Sequence, residues 1–518
     1  MKKFTGTILI LLISVSIAYN QQSDIRLPKI LSDNMVLQRG TNIPFWGWSA
    51  PGEHITIKLG NHSAETVTTA NGIWKLFLGP LEAGGPFELI ISGKNTITLK
   101  NVLIGEVWVC SGQSNMEMPV GNVATWYSGV LNYKEEIAIA NYPEIRLFKE
   151  GRTVSDKPQY DCEGIWSQCS PESVVDFSAV AYFFGRKLYK ELGVPIGLID
   201  ASNGGTNIEA WMSKEVLSSD VDFKTSLDEF RLQMDEYPKL LKVYEQRMAQ
   251  HKKEVEEAKA AGKPVPWREP MPPAGPGDKN TPSGLYHGMI SPLIHMRIAG
   301  VIWYQGENNT GNPHLYEKLF PAMIGNWRQD WGQGDFPFYY VQLAGFNTNQ
   351  TWWGGGGKNW VLLREAQLKT SSVPNTGMAV ASDIGDANDT HMKNKQEVGR
   401  RLALWALAKT YGKNIFCSGP AYKSMVIKSN RIILHFDYVG SGLKSKEGTE
   451  LKGFTVSGED KKFYDAIAVI RGDIIEVSCK EVIKPVAVRY SWKDYPDANL
   501  CNRDNLPASQ FRTDEWKE

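Results

Sequence analysis

Cysteine is scarce, at six in 518 residues. No two cysteines stand as a CxxC pair, and no HExxH occurs. Zinc sites need closely spaced ligands of that kind, so metal chemistry has no support here and no cofactor is called for. Cys162 and Cys169 are near enough in sequence to close a small loop, and Cys479 and Cys501 to bridge the C-terminal region. Sequence alone decides neither pairing. An excess of charge of one sign is also absent, with 57 Lys and Arg against 57 Asp and Glu. A protein that grips nucleic acid by neutralising phosphates carries a basic surplus, as does a basic membrane-surface protein, so both classes are disfavoured.

Only one long apolar run occurs. Lys2 and Lys3 precede a stretch from Ile8 to Ala18 broken only by Ser14 and Ser16. Ser16 and Ala18 are small residues two apart, which suits cleavage after Ala18. This three-part pattern predicts a secretory signal over 1–18 and export to a periplasmic or extracellular compartment. The run is too short for a membrane-spanning helix, so stable membrane insertion is not expected. No Cys follows it to carry a lipid anchor.

What is present is a globular composition, 42% hydrophobic and 22% charged, with length for about three domains. Seventeen Trp and 20 Tyr serve either β-rich cores or the flat apolar faces of sugars. From 25 to 100 the chain runs in short strands (Ile43–Trp48, His54–Leu59, Trp74–Leu78, Phe87–Ile91, Thr96–Leu99) punctuated by Gly, Pro and Asn, which predicts a small β-sandwich.

From 101 to 415 the rhythm becomes strand, loop, helix. Strands are expected at Glu106–Cys110, Ile196–Asp200, Ala299–Trp303, Phe338–Leu343 and Met378–Asp383. Helices are expected after Ser178, from about Leu315, near Trp360–Lys369 and at Lys395–Tyr411. Such alternation predicts an α/β fold, a parallel sheet with helices on both faces and reactive groups beyond the carboxyl ends of the strands. An insertion over 213–284 is first polar and helical, then dense in Pro and Gly. After Ser418 the chain returns to β-like runs, a second accessory β-domain over 418–518.

Four loops hold the candidate chemistry. In Ser111-Gly112-Gln113-Ser114-Asn115-Met116 a sharp Gly-containing turn at a strand end projects a Ser hydroxyl, as a nucleophile requires. In Ser202-Asn203-Gly204-Gly205-Thr206-Asn207 paired glycines let a backbone N–H face an anion. In Tyr304-Gln305-Gly306-Glu307-Asn308-Asn309 side-chain amides are placed to donate to an oxyanion. In Asp383-Ile384-Gly385-Asp386-Ala387-Asn388-Asp389-Thr390-His391 a His stands among carboxylates, the best context for a base among eight histidines. His287, in Leu285-Tyr286-His287-Gly288-Met289, is left as a candidate substrate contact. Read singly, each loop also has a plainer reading as a capped polar turn.

Together the loops follow the chain order of SGNH-type hydrolases. The spellings GQSNM, GGTNIEAW, WYQGENN and DIGDANDTH…NK…VGRRLA resemble the sialate O-acetylesterase family of carbohydrate esterases. Asp33–Gln38 and Leu506–Thr513 resemble it too, so the likeness spans nearly the whole mature chain. The resemblance implies Ser114 as nucleophile and His391 as general base and acid. It implies the Ser114 N–H, a glycine of the 204–205 pair (Gly205 is favoured) and Gln305 or Asn308 as oxyanion donors, with Glu307 and His287 toward substrate. Many SGNH enzymes place an acid three residues before the His, where this chain has Asn388. The orienting group is therefore Asp389, Asp386 or a backbone carbonyl, with Asp389 preferred. The implied partner is an acetylated sugar or glycan. Acetylated sialic acids come first, acetylated xylan or a broader set second, and a non-catalytic sugar-binding role is the reading from another class.

Overall fold

A computed structural model describes residues 24–123, 126–265, 269–348 and 357–517. The expected signal segment, 1–18, lies outside them. One strand organises the rest. Thr96–Gly112 runs for 17 residues, and its outer half pairs antiparallel with Gly84–Ser92 of the N-terminal β-module. Its inner half pairs parallel with Ile196–Ser202 on one side and Gly300–Tyr304 on the other. The separate runs Thr96–Leu99 and Glu106–Cys110 are thus one strand, because the intervening Lys100–Gly105 continues the ladder.

The main sheet has the order Thr376–Ala379, Phe338–Val341, Gly300–Tyr304, Thr96–Gly112, Ile196–Ser202, Tyr142–Lys149, Trp166–Cys169. All neighbours are parallel except the last pair. The expected helices form where their stop and start signals stand. Ser178 accepts a hydrogen bond from the Ala181 N–H, and Gly193 ends Ala179–Leu192 in the left-handed conformation. Pro313–Trp331, Gly357–Lys369 and Lys395–Trp405 follow.

Strand alternation shows that helices cover both faces. Phe338 and Tyr340 pack on Phe320 of Pro313–Trp331, whereas Tyr339 between them stacks on Trp108 and Trp405. The chain is α/β, with small antiparallel sheets added at both ends. One hydrophobic core runs from Ile25 to Cys417, so the N-terminal β-module shares its core with the α/β sheet. A second core, from Ile432 to Phe511, belongs to the C-terminal strands.

Most large aromatics are consumed by packing: Trp74, Trp108, Trp166, Trp211, Trp303, Trp327 and Trp360 are fully buried. Val221–Ala260 runs for 40 residues and buries only Phe223. All six cysteines are free, so neither suggested disulfide forms.

Gly112 closes the central strand at φ +137, and a Cβ there would lie 2.2 Å from the Tyr304 carbonyl oxygen. That contact brings the first and third loops together. Gly112→Ala is expected to destabilise the fold by at least about 2 kcal/mol, from φ strain plus a backbone clash. Gly412→Ala is the control, because Gly412 shares the strained sign (φ +65) with no atom within 4 Å of a new Cβ. Denaturant midpoints of the two variants separate strain from clash, and equal losses would overturn the assignment.

Candidate active site

The sheet delivers three of the four loops side by side. Ser114 opens a one-turn helix, Ser114–Glu117, immediately beyond Gly112. The Asn203 N–H donates to the Gly112 carbonyl, and the Gln113 N–H donates to the Tyr304 carbonyl. The Gln113 side-chain oxygen accepts from the N–H groups of Gly306 and Asn308, both at 3.3 Å. Loops one, two and three are therefore tied by backbone groups that would otherwise be left without partners at the strand ends.

Ser114 is half-buried, and a Cβ placed on Gly204 would lie 3.3 Å from its own Cβ. The Gly204 N–H donates to the Glu117 carboxylate. Glu117 in turn pairs with Arg152. Of the two glycines, Gly205 keeps its N–H free of any acceptor among the described residues, with φ +68. The two amides differ sharply. Gln305 is fully buried, and its Nε2 donates to the Thr206 carbonyl at 3.0 Å and to Asn309 Oδ1 at 2.6 Å, which uses both hydrogens. It therefore stands as internal scaffolding rather than as an oxyanion donor. Asn308 is exposed and donates one hydrogen to Asn207, which leaves one free.

His391 is half-buried. The Tyr127 ring meets it edge-on at 5.0 Å. Asp389 Oδ1 accepts from the His391 backbone N–H at 2.8 Å and lies 3.8 Å from ring Nδ1, beyond hydrogen-bond range. Asp386 accepts from the Asn388 N–H within its own turn, and among the described residues no hydrogen bond or ion pair connects it to the ring. Among the described residues no hydrogen bond joins the Ser114 hydroxyl to His391. Such bonds often tighten only once substrate is bound. What links the two is Asn115: it follows Ser114 and donates to the carbonyl of Thr390, the residue before His391, at 3.0 Å.

Two expected substrate contacts sit elsewhere. Glu307 is buried beneath the third loop and accepts from Asn115 Nδ2 at 2.5 Å. His287 is buried and faces the Ser155 carbonyl at 3.2 Å. It lines a cavity of about 410 Å³ with Tyr160, Tyr286 and His295, a cavity that includes neither Ser114 nor His391. A cavity of about 640 Å³ between the Ala179–Leu192 and Lys395–Trp405 helices and the C-terminal strands also excludes both. Its Arg186, Arg400, Arg401 and Lys446 are already paired with acids.

Several groups near the site carried no role in the sequence reading: Asn115, Glu117, Tyr127, Arg152 and Lys395. Lys395 had a readable signal. It is the first residue of its helix, where the dipole is positive and a cation is unfavourable. It is also fully buried and donates to Asn115 Oδ1. Burial pushes its ammonium down to about 7, against the pull of Glu307 and Asp389.

Burial, then the Lys395 charge, lower His391 to about 4, against an opposing pull from Asp389. The lowered value means that the ring loses its proton as pH rises through about 4 and is neutral at pH 7. An NMR titration of the His391 ring is expected to show a midpoint near 4. A midpoint near the ordinary value of about 6.5 would contradict the burial and charge arrangement.

The match to known proteins is extensive. The family model for "Carbohydrate esterase, sialic acid-specific acetylesterase" matches residues 104–260 and 276–408. The chain is 32% identical to a sialate O-acetylesterase of Rattus norvegicus, over 94% of this chain and 93% of that protein. It is 28% identical to the sialate O-acetylesterase of Homo sapiens, over 91% and 88%. The crystal structure of a carbohydrate acetylesterase from Xanthomonas citri aligns with a TM-score of 0.80 at 35% identity, covering 95% of this chain and all of that one. These matches, laid over a Ser and a His at the carboxyl ends of a parallel sheet, make the chain an esterase and a member of the sialic acid-specific acetylesterase family of carbohydrate esterases.

Proposed function

We propose that this esterase removes O-acetyl groups from sugars, with O-acetylated sialic acids as its first substrate, through an acyl-enzyme on Ser114. The observation that carries the reading is the Asn115 tie, which holds Ser114 and His391 at adjacent loops of one sheet edge. His391, neutral at working pH, takes the Ser114 proton as the oxygen attacks the acetyl carbonyl. The Ser114 N–H, the Gly205 N–H and the free Asn308 hydrogen surround the developing oxyanion. The sugar oxygen leaves with the proton from His391, and water, deprotonated by the same ring, then releases acetate. Asp389 is the carboxylate assigned to steady the imidazolium, at 3.8 Å from its Nδ1.

Sugar as substrate is supported by Trp126, which is 83% exposed and precedes the Tyr127 that packs on His391. Its exposed ring offers the flat apolar face on which a sugar ring stacks. Sialic acid as the first choice rests on the names of the relatives. Export is proposed from the Lys2, Lys3 and Ile8–Ala18 pattern. The described residues contain no helix long and apolar enough to cross a membrane.

Ser114→Ala is expected to lower kcat by about 10³-fold or more, because the covalent route is removed. A folded variant that keeps a tenth of wild-type turnover would move the nucleophile elsewhere. Acetate release measured side by side on O-acetylated sialic acid and acetylated xylan is expected to favour the former, and the reverse order would reassign the substrate.

Asp389→Asn is expected to be the more damaging of two acid variants, by up to about 10⁴-fold in kcat if the carboxylate acts as in a full triad. Asp386→Asn is expected to stay near wild type. Loss in Asp386→Asn alone would transfer the role. Two near-wild-type variants would leave a Ser–His dyad.

A further inference from the structure

Behind the site lies a chain of buried polar groups that no catalytic step above uses. Lys395 donates to Asn115 Oδ1, and Asn115 Nδ2 donates to Glu307 at 2.5 Å and to the Thr390 carbonyl at 3.0 Å. Lys395 also stands over the Tyr304 ring, 5.3 Å from its centre. Among the described residues no acid forms an ion pair with it, and Glu307 reaches it only across the Asn115 amide.

The donor and acceptor rules make this arrangement directional. An ammonium only donates and a carboxylate only accepts, so Asn115 must turn its oxygen to Lys395 and its nitrogen to Glu307. With one hydrogen on Glu307, the other is aimed at Thr390. A residue adjacent to the nucleophile thereby holds the residue adjacent to the base.

We infer that Lys395 is a positioning residue of this esterase: it fixes the Asn115 amide that joins the nucleophile helix to the His391 loop, and it sets a positive charge against His391. The inference rests on the Ser114–His391 reading above. The charged and titratable groups facing His391 are Lys395 from its helix, Asp389 from its own loop and Tyr127 from the loop after the Ser114–Glu117 helix. Lys395 itself is faced by Glu307 and Asp389. Below about pH 7 Lys395 is charged, so throughout the range where His391 titrates it opposes the imidazolium. The ring is thereby held neutral, ready to accept the serine proton, further into acid.

The test reads the acid limb of kcat/KM for p-nitrophenyl acetate in two variants. Lys395→Gln keeps a donor for Asn115 and loses the charge, whereas Lys395→Arg keeps the charge. Lys395→Gln is expected to move the acid limb to higher pH by on the order of one unit, and Lys395→Arg to leave it in place even where bulk lowers kcat. A merely structural role would lower kcat in both and shift neither limb. If Lys395→Gln does not fold by circular dichroism, Lys395→Met serves instead, since it removes the same charge, leaves Asn115 in place and moves the limb the same way. An acid limb that coincides with wild type, or an equal shift in the Gln and Arg variants, would overturn the inference. Ser114→Ala run in parallel separates the two failures: an active Ser114→Ala sinks the site reading, and an inactive one beside an unmoved limb sinks only the role of Lys395.

Discussion

The close contact between Gly112 and the Tyr304 carbonyl is the constraint on which the site depends. It sets the ends of two neighbouring parallel strands at a separation that no side chain larger than hydrogen allows. At that separation the Gln113 N–H reaches Tyr304, and the Gln113 side chain reaches the third loop. The Ser114 turn is then held by a backbone and a side-chain group of Gln113, both bonded to the same neighbouring strand end and its loop. The strand that carries it is anchored far away as well, because its outer half belongs to the N-terminal β-sheet. A shared core across both parts makes the accessory module a structural support for the strand that leads to Ser114 rather than an appendage.

The polar layer beneath the site stands in contrast. Lys395, Glu307 and Asn115 are all nearly or fully inaccessible. Removing one partner of such a buried charged network costs about 3–5 kcal/mol, whereas the intact network adds little net stability. Its value is geometric, since the contacts to Lys395, Glu307 and Thr390 together leave the Asn115 amide one orientation. Burial also raises Glu307 and lowers Lys395, so both are drawn toward their neutral forms and the Asn115 amide mediates between them. His391 feels the same low-polarity surroundings, which place it well below the ordinary histidine value.

Where the sequence misled, the reason is a tertiary contact. Tyr142–Lys149 has a weak strand signal in the sequence, because Pro143, Glu144 and Arg146 interrupt its apolar character. It is nonetheless a sheet strand, because Arg146 donates to the carbonyls of Pro143, Asn34 and Asn101 and is satisfied while buried. Gln305 and Asn308 looked equivalent as amides three apart on one loop. Only the fold shows that one is locked inward by Thr206 and Asn309 while the other faces outward. Glu307, between them, turns inward to accept from Asn115, another contact that only the fold supplies.

The sequence by itself determined the α/β class, most strands and helices, and the candidate loops at the strand ends. Those follow from apolar periodicity, from capping residues such as Ser178 and Gly193, and from glycines at strand ends, all of which act over a few residues. It marked Ser114 and His391 by the company they keep. Only the tertiary structure decided which groups surround them: the Asn115 link to Thr390, the Glu117 hold on Gly204, the distance of Asp389 from the ring and the burial of Lys395. These join residues up to 280 positions apart, and their strength depends on exclusion of water, a property of the assembled core that no local pattern encodes.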